Sequence, residues 1–349
     1  MKGTTELFDL IKSLNGAEKG YFKKHSTINT PSEKNYLLLF DSIEEQKEYN
    51  EKMLRDKFKS KKFSRQFPVI KSYLYGRVLT ALDSYHDSEY ETVRHYLHQT
   101  EILYEKGLYK QSLKIINKAK KISLRFELHI FLPEIMLWEH TIASQKLDFK
   151  KRIQILKEHE EELLLLENAR TFQLLSAQIA LFVQKYGEEK KAKSLREIKR
   201  IMMHPVLRDV SNARSTAAQI KFYYLHMAYC YLKEKYSEAY NFLEKEYALF
   251  HESPEKIHLY FQSYISCLYR LVNICLKLKN YTAFEKYLAV IKNAALLAKN
   301  RSYKARLFHG YSNFLTDYII LSGQFHKASK MIPEIINDFN KYESELNTY

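Results

Sequence analysis

The chain has 349 residues, 46% apolar and 28% charged, with a formal net charge of +15, a balance that excludes a disordered polyelectrolyte. Eight glycines and six prolines are too few for turn-rich sheets, so an all-α fold is expected. The three cysteines, Cys230, Cys267 and Cys275, are an odd number at wide spacing. That excludes a disulfide framework and predicts small core residues in a reducing compartment.

The N-terminal residues lack the apolar stretch of a signal peptide, and no run approaches the roughly 18 apolar residues of a membrane span. A cytoplasmic protein is therefore expected, with no membrane partner. Leu7, Phe8, Leu10, Ile11 and Leu14 recur at helical spacing, and a short helix over 17–24 follows Gly16. Residues 27–33 read as a loop, with Ser32 a cap for a helix to about Gln46. Asn50 caps another helix over 51–58. Pro68 suits the first turn of a helix to about Tyr85, whose apolar stripe is Ile70, Tyr73, Leu74, Val78, Leu79 and Leu82.

Between these last two helices the chain is basic. Residues 52–77 hold nine Lys or Arg against Asp56 alone. Clustered cations suit phosphate-backbone contact, which makes Lys57, Lys59, Lys61, Lys62 and Arg65 the nucleic-acid-binding candidates. The layout is helix–turn–helix-like, but the turn has no glycine and the second helix exposes few side chains suited to reading bases. Further basic groups lie at 106–125 and 190–200. Solvated helix faces are the plainer reading of all three.

From residue 89 a helix-pair pattern takes over, so a helical N-terminal region over 1–88 is expected to precede a repeat region over 89–349. Residues 222–250 are its clearest unit: an aromatic-rich helix, a polar turn at Lys235-Tyr236, and a second helix from Ala239. Comparable turns stand at Gly107-Leu108-Tyr109, at Phe149, near Tyr186-Gly187, at Asn280-Tyr281-Thr282-Ala283 and at Gly323-Gln324-Phe325. The aromatics at 236, 281 and 325 keep a near-constant period, the mark of a solenoid in which stacking neighbours bury the faces that one pair cannot.

The turn at Gly107, Tyr109 and Ser112 and that at Gly323, Phe325 and Ala328 resemble the inter-helix turn of the tetratricopeptide repeat. Ile116 and Ala119 match the repeat's large and small positions on the second helix. The period exceeds the usual 34 residues, and in this the chain is similar to bacterial regulators of the Rap and PlcR type. The resemblance implies an α-α superhelix whose first helices line a concave face. It points to Arg94, Tyr104, Tyr223, Tyr269, Asn273, Asn313 and Asp317 as protein- or peptide-binding residues.

No phosphate-cradling glycine loop, C-x-x-C or H-E-x-x-H occurs. His95 and His98 share a helical face but lack further donors for a metal. Glu158, Glu160, Glu161, Glu162 and Glu167, with His159, read as the solvated side of a helix whose other side is Leu163 to Leu166. An acidic patch for a basic partner is the alternative. No enzyme activity, cofactor or metal is expected. The function expected is a non-enzymatic scaffold or regulator that binds protein or peptide, with a nucleic-acid- or ribosome-associated protein as the alternative.

Overall fold

The computed structural model describes residues 5–26, 34–61, 66–85, 88–146, 149–186, 191–298, 301–323, 326, 332–333, 335–337 and 339–342. All regular structure among the described residues is helical, so the fold is all-α. The chain divides into two compact units, Met1–Glu91 and Thr92–Tyr349.

The first unit comprises α1 (Glu6–Ser13), α2 (Gly16–Ser26), α3 (Lys34–Glu45), α4 (Glu51–Lys57) and α5 (Phe67–Tyr85). Two asparagines start its helices. Asn15 Oδ1 accepts from the backbone N–H of Ala17 and Glu18 while its own N–H donates to Glu18 Oε2. This reciprocal capping box satisfies donors that a helix start leaves open. Asn50 does the same for α4 by accepting from Met53 N. The core is built from Leu7, Ile11, Phe40, Ile43, Leu54, Phe67, Leu74 and Val78. On α5 the buried stripe is narrower than the sequence suggests: Tyr73 and Leu79 are exposed.

The second unit is a run of helix pairs: α6 (Glu89–Glu105), α7 (Tyr109–Arg125), α8 (Leu132–Lys146), α9 (Phe149–Tyr186), α10 (Lys191–Met202), α11 (Thr216–Leu232), α12 (Tyr236–Phe250), α13 (Pro254–Leu259), α14 (Phe261–Lys277), α15 (Tyr281–Ala294) and α16 (Arg301–Ser322). The repeated turn has one physical form. Gly107, Glu234, Lys279 and Gly323 all sit in the left-handed region, at φ of 70°, 61°, 56° and 68°. In the first three, the next backbone N–H reaches back to a carbonyl five residues earlier: Leu108 to Leu103, Lys235 to Cys230 and Asn280 to Cys275. This is the Schellman closure, which satisfies orphan carbonyls at a helix end. Two residues after each left-handed residue stands the aromatic that opens the next helix, Tyr109, Tyr236 or Tyr281. Three residues further on, Ser112, Ala239 and Phe284 are fully buried. In the third copy that inner place belongs to Phe284, and Ala283 is only half-buried.

Regularity fails at α9. It runs 38 residues, against 17 in α6, α7, α11 and α14. The turn expected at Gly187 lies outside the described residues, as does that at Phe325. A pair of 3-10 turns, Pro205–Leu207 and Val210–Asn212, then leads to α11. A long-range contact ties the two ends of this irregular stretch. Glu127, itself at φ 52°, accepts from the backbone N–H of Thr216 and Ala217 at the start of α11 and from the Tyr260 hydroxyl. Burial raises its carboxyl pKa, but these hydrogen bonds outweigh burial and hold it below the ordinary value. The three cysteines are buried and free.

Candidate functional site

Helices α14 and α16 run parallel. Gln262 donates to Tyr303 Oη, and seven residues on, Tyr269 donates to the Arg306 carbonyl and meets Phe314 edge-on, with ring centres 5.4 Å apart. Gly310 makes this approach possible, since a Cβ there would collide with the Tyr269 phenol. Beside this contact the exposed faces carry Asn273 on α14 and Asn313 and Asp317 on α16. Asn313 pairs with His309 one turn earlier. On the other side, the Arg270 guanidinium lies over the Tyr224 ring of α11 at 4.9 Å. Tyr223, next in sequence, is half-buried with its ring edge-on to Phe222.

The structure thus brings Tyr269, Asn273, Asn313 and Asp317 onto neighbouring helices, with Tyr223 on the helix beyond. The remaining two candidates lie on α6. Tyr104 packs its ring against Tyr109 and Trp138, and Arg94 is exposed.

Two buried charge clusters lay hidden in the sequence. The first joins α7, α8 and α9. The ammonium of Lys120 stands 3.1 Å from Glu139, 2.9 Å from Glu158 and 2.9 Å from Glu162. His159 Nε2 faces Glu139 at 2.9 Å. This corrects the reading of 158–162 as a solvated face. His159 and Glu162 are buried, whereas Leu163 and Leu164 are exposed. Burial opposes the charge on Lys120, but its carboxylate partners outweigh burial and raise its pKa. Burial also raises the pKa of Glu162, whose Oε2 has no partner among the described residues. Glu139, His159 and Glu162 offer metal-type donors within 4.8 Å of one another. The lysine ammonium already fills the place a cation would take between two of them, so the donor set fits a metal poorly. What the cluster does chemically is lock three helices together.

The second cluster joins α11, α12 and α14. Glu246 is completely buried and pairs with Arg270 at 2.9 Å. Burial pushes its carboxyl up to about 7, against the pull of Arg270 and Lys221. Lys221 is itself held below the ordinary value, chiefly by burial. Glu246 belongs to the stretch Leu243-Glu244-Lys245-Glu246-Tyr247, and Leu243, on the same face at i−3, is the one signal that marks it as inward.

In the first unit, Lys57, Lys59 and Lys61 are exposed, and Lys62 and Arg65 lie outside the described residues. Lys57 pairs with Glu45 at 3.6 Å and Arg55 with Glu51 at 2.7 Å. Lys71 is buried against Glu51 and Tyr49.

No helix among the described residues is long and apolar enough to cross a membrane. Comparison with protein-family models, with curated proteins and with solved structures found no match for this chain.

Proposed function

We propose that the second unit is a helical-repeat binding module: a non-enzymatic, tetratricopeptide-like scaffold that takes up a protein or peptide across the first helices of its pairs. The carrying observation is the row on α14 and α16. Exposed amide and carboxylate groups at Asn273, Asn313 and Asp317 flank a fixed Tyr269 ring, with Tyr223 on α11 beyond. Rings supply contact area at little entropic cost, and amides satisfy a partner's backbone groups. The basic clusters support nucleic-acid binding less well, because part of their charge is engaged within the fold. Lys120 is caged, Arg125 pairs with Glu255 at 2.8 Å, and Arg200 pairs with Glu197 at 3.3 Å.

Affinity capture by the full chain, compared with an Asn273→Ala/Asn313→Ala/Asp317→Ala variant, tests the proposal. All three side chains are exposed, so the fold survives and a protein captured by the wild type should be lost. Retention of every captured protein overturns the assignment of this face. A steep fall of DNA or RNA binding with rising salt would favour the nucleic-acid reading instead.

A further inference from the structure

One face of α9 is uncovered. Phe149, Ile153, Leu156, Leu163, Leu174 and Leu181 are all exposed, several of them by half or more. They are not scattered. Taken with Glu160, Glu167, Arg170 and Ala177, also exposed, they occupy alternating steps of four and three residues along the whole helix. That is the a/d seam of a coiled coil, and at 1.5 Å per residue it runs for about 48 Å. In the C-terminal half of α9 the opposite face, with Phe172, Leu175 and Ile179, is buried in the unit, and in the N-terminal half the buried residues among those described are His159 and Glu162.

The order of residues along the seam says what covers it. About a centre at residue 165 the seam is self-complementary except at its innermost contact. Reversed on itself, it sets Phe149 against Leu181, Ile153 against Ala177, Leu156 against Leu174, Glu160 against Arg170 and, nearest the axis, Leu163 against Glu167. A parallel pairing in register would instead stack Glu160 on Glu160, Glu167 on Glu167 and Arg170 on Arg170, and like charges across an interface are penalised. A two-fold axis across the helix makes each of these contacts occur twice, because the patch meets its own copy. An unrelated partner imposes no such symmetry. The surroundings also leave room. Beside the C-terminal half of the seam, α9 and α10 border an open cleft of about 720 Å³ lined by Leu174, Gln178, Arg200 and Met203. In the reversed pairing, the turn carrying Leu156 of the second copy comes to lie along it.

We propose that α9 is the interface of an antiparallel homodimer, the seam of one chain packed on that of a second copy with paired Glu160–Arg170 contacts about the two-fold axis. The property is independent of the partner-binding face on α14 and α16.

Sedimentation equilibrium of the full-length chain is the test. The wild type is expected to be a dimer at micromolar concentration. Arg170→Glu should raise the dimer dissociation constant by roughly 100-fold or more, since it creates two like-charge contacts. Glu160→Arg combined with Arg170→Glu in the same chain should restore the wild-type value. Both positions are solvent-exposed in the single chain, so neither variant threatens the fold, and circular dichroism should be unchanged. Leu156→Asp/Leu174→Asp should be monomeric. A monomeric wild type, a dimer indifferent to the leucine pair, or a loss with Arg170→Glu that the double exchange fails to repair would each overturn the proposal.

Discussion

The α7–α9 region and the α11–α14 region each bury charge, with opposite surpluses. Around Lys120, three carboxylates share one ammonium and a histidine. Around Glu246, one carboxylate faces two cations, Arg270 and Lys221. Charge alone predicts a deeply ionised Glu246 and reluctant glutamates around Lys120. The second expectation holds for Glu162, which is pushed up. The first fails, because Glu246 is also pushed up, to about 7. Complete burial therefore outweighs two nearby cations at Glu246. Glu158, which stays half in water, goes the other way and is held down by Lys120.

The largest effect is expected from removing the shared cation. Lys120→Met should cost about 3–5 kcal/mol in denaturant unfolding, because it strands buried carboxylates without a counter-charge. Adding Glu162→Gln should recover part of that loss, by removing the carboxylate with an orphan oxygen. If Lys120→Met is neutral, the cluster is not the tie between α7, α8 and α9.

Next comes the pH dependence of Glu246. Its folded pKa lies above the unfolded value, so the folded state binds the extra proton between roughly pH 4.5 and 7. Stability from this group is therefore highest at low pH and is lost as pH rises through about 7. The wild type minus Glu246→Gln stability difference should fall by about 1–3 kcal/mol from pH 5 to 8. A flat difference would mean that Glu246 is fully ionised in the fold.

A smaller loss is expected at the aromatic row. Gly310→Ala puts a methyl group into the Tyr269 ring and should cost about 1–2 kcal/mol by overpacking. It should also shift Tyr269 away from the Arg306 carbonyl, which tyrosine fluorescence or an NMR map of α14 and α16 would report. The α7–α9 cluster should be untouched.

How legible these regions were differs for a physical reason. The all-helical fold, the cap at Asn50 and the turns at Tyr109, Tyr236 and Tyr281 follow from local signals: scarce glycine and proline, a side chain that caps its own helix, an aromatic at fixed distance from a left-handed residue. The Lys120 cage depends on three helices meeting, and nothing local distinguishes Glu162 from Glu160 or Glu161. The step of three from His159 to Glu162 does put both on one face. The four consecutive leucines at 163–166, however, masked which face that was. Leu163 and Leu164 lie on the exposed side, because α9 carries a second apolar stripe that its own unit does not bury.

The smallest predicted effect tests the regular region at its turns. Glu234 and Lys279 hold the left-handed conformation that Gly107 and Gly323 hold elsewhere. A side chain there strains the backbone, whereas glycine does not. Lys279 is exposed, and its backbone N–H already closes the helix on the Leu276 carbonyl. Lys279→Gly should therefore stabilise the protein by about 0.5–1 kcal/mol, less than the full strain because glycine also frees the unfolded chain. A glycine within α9, at Ala180, which is also exposed and lies off the seam, should do the reverse and cost about 1 kcal/mol. The two glycines together separate a region held by its turns from one held by a single unbroken helix. If both substitutions destabilise, Lys279 is held by side-chain contacts and the recurring turn does not set the repeat.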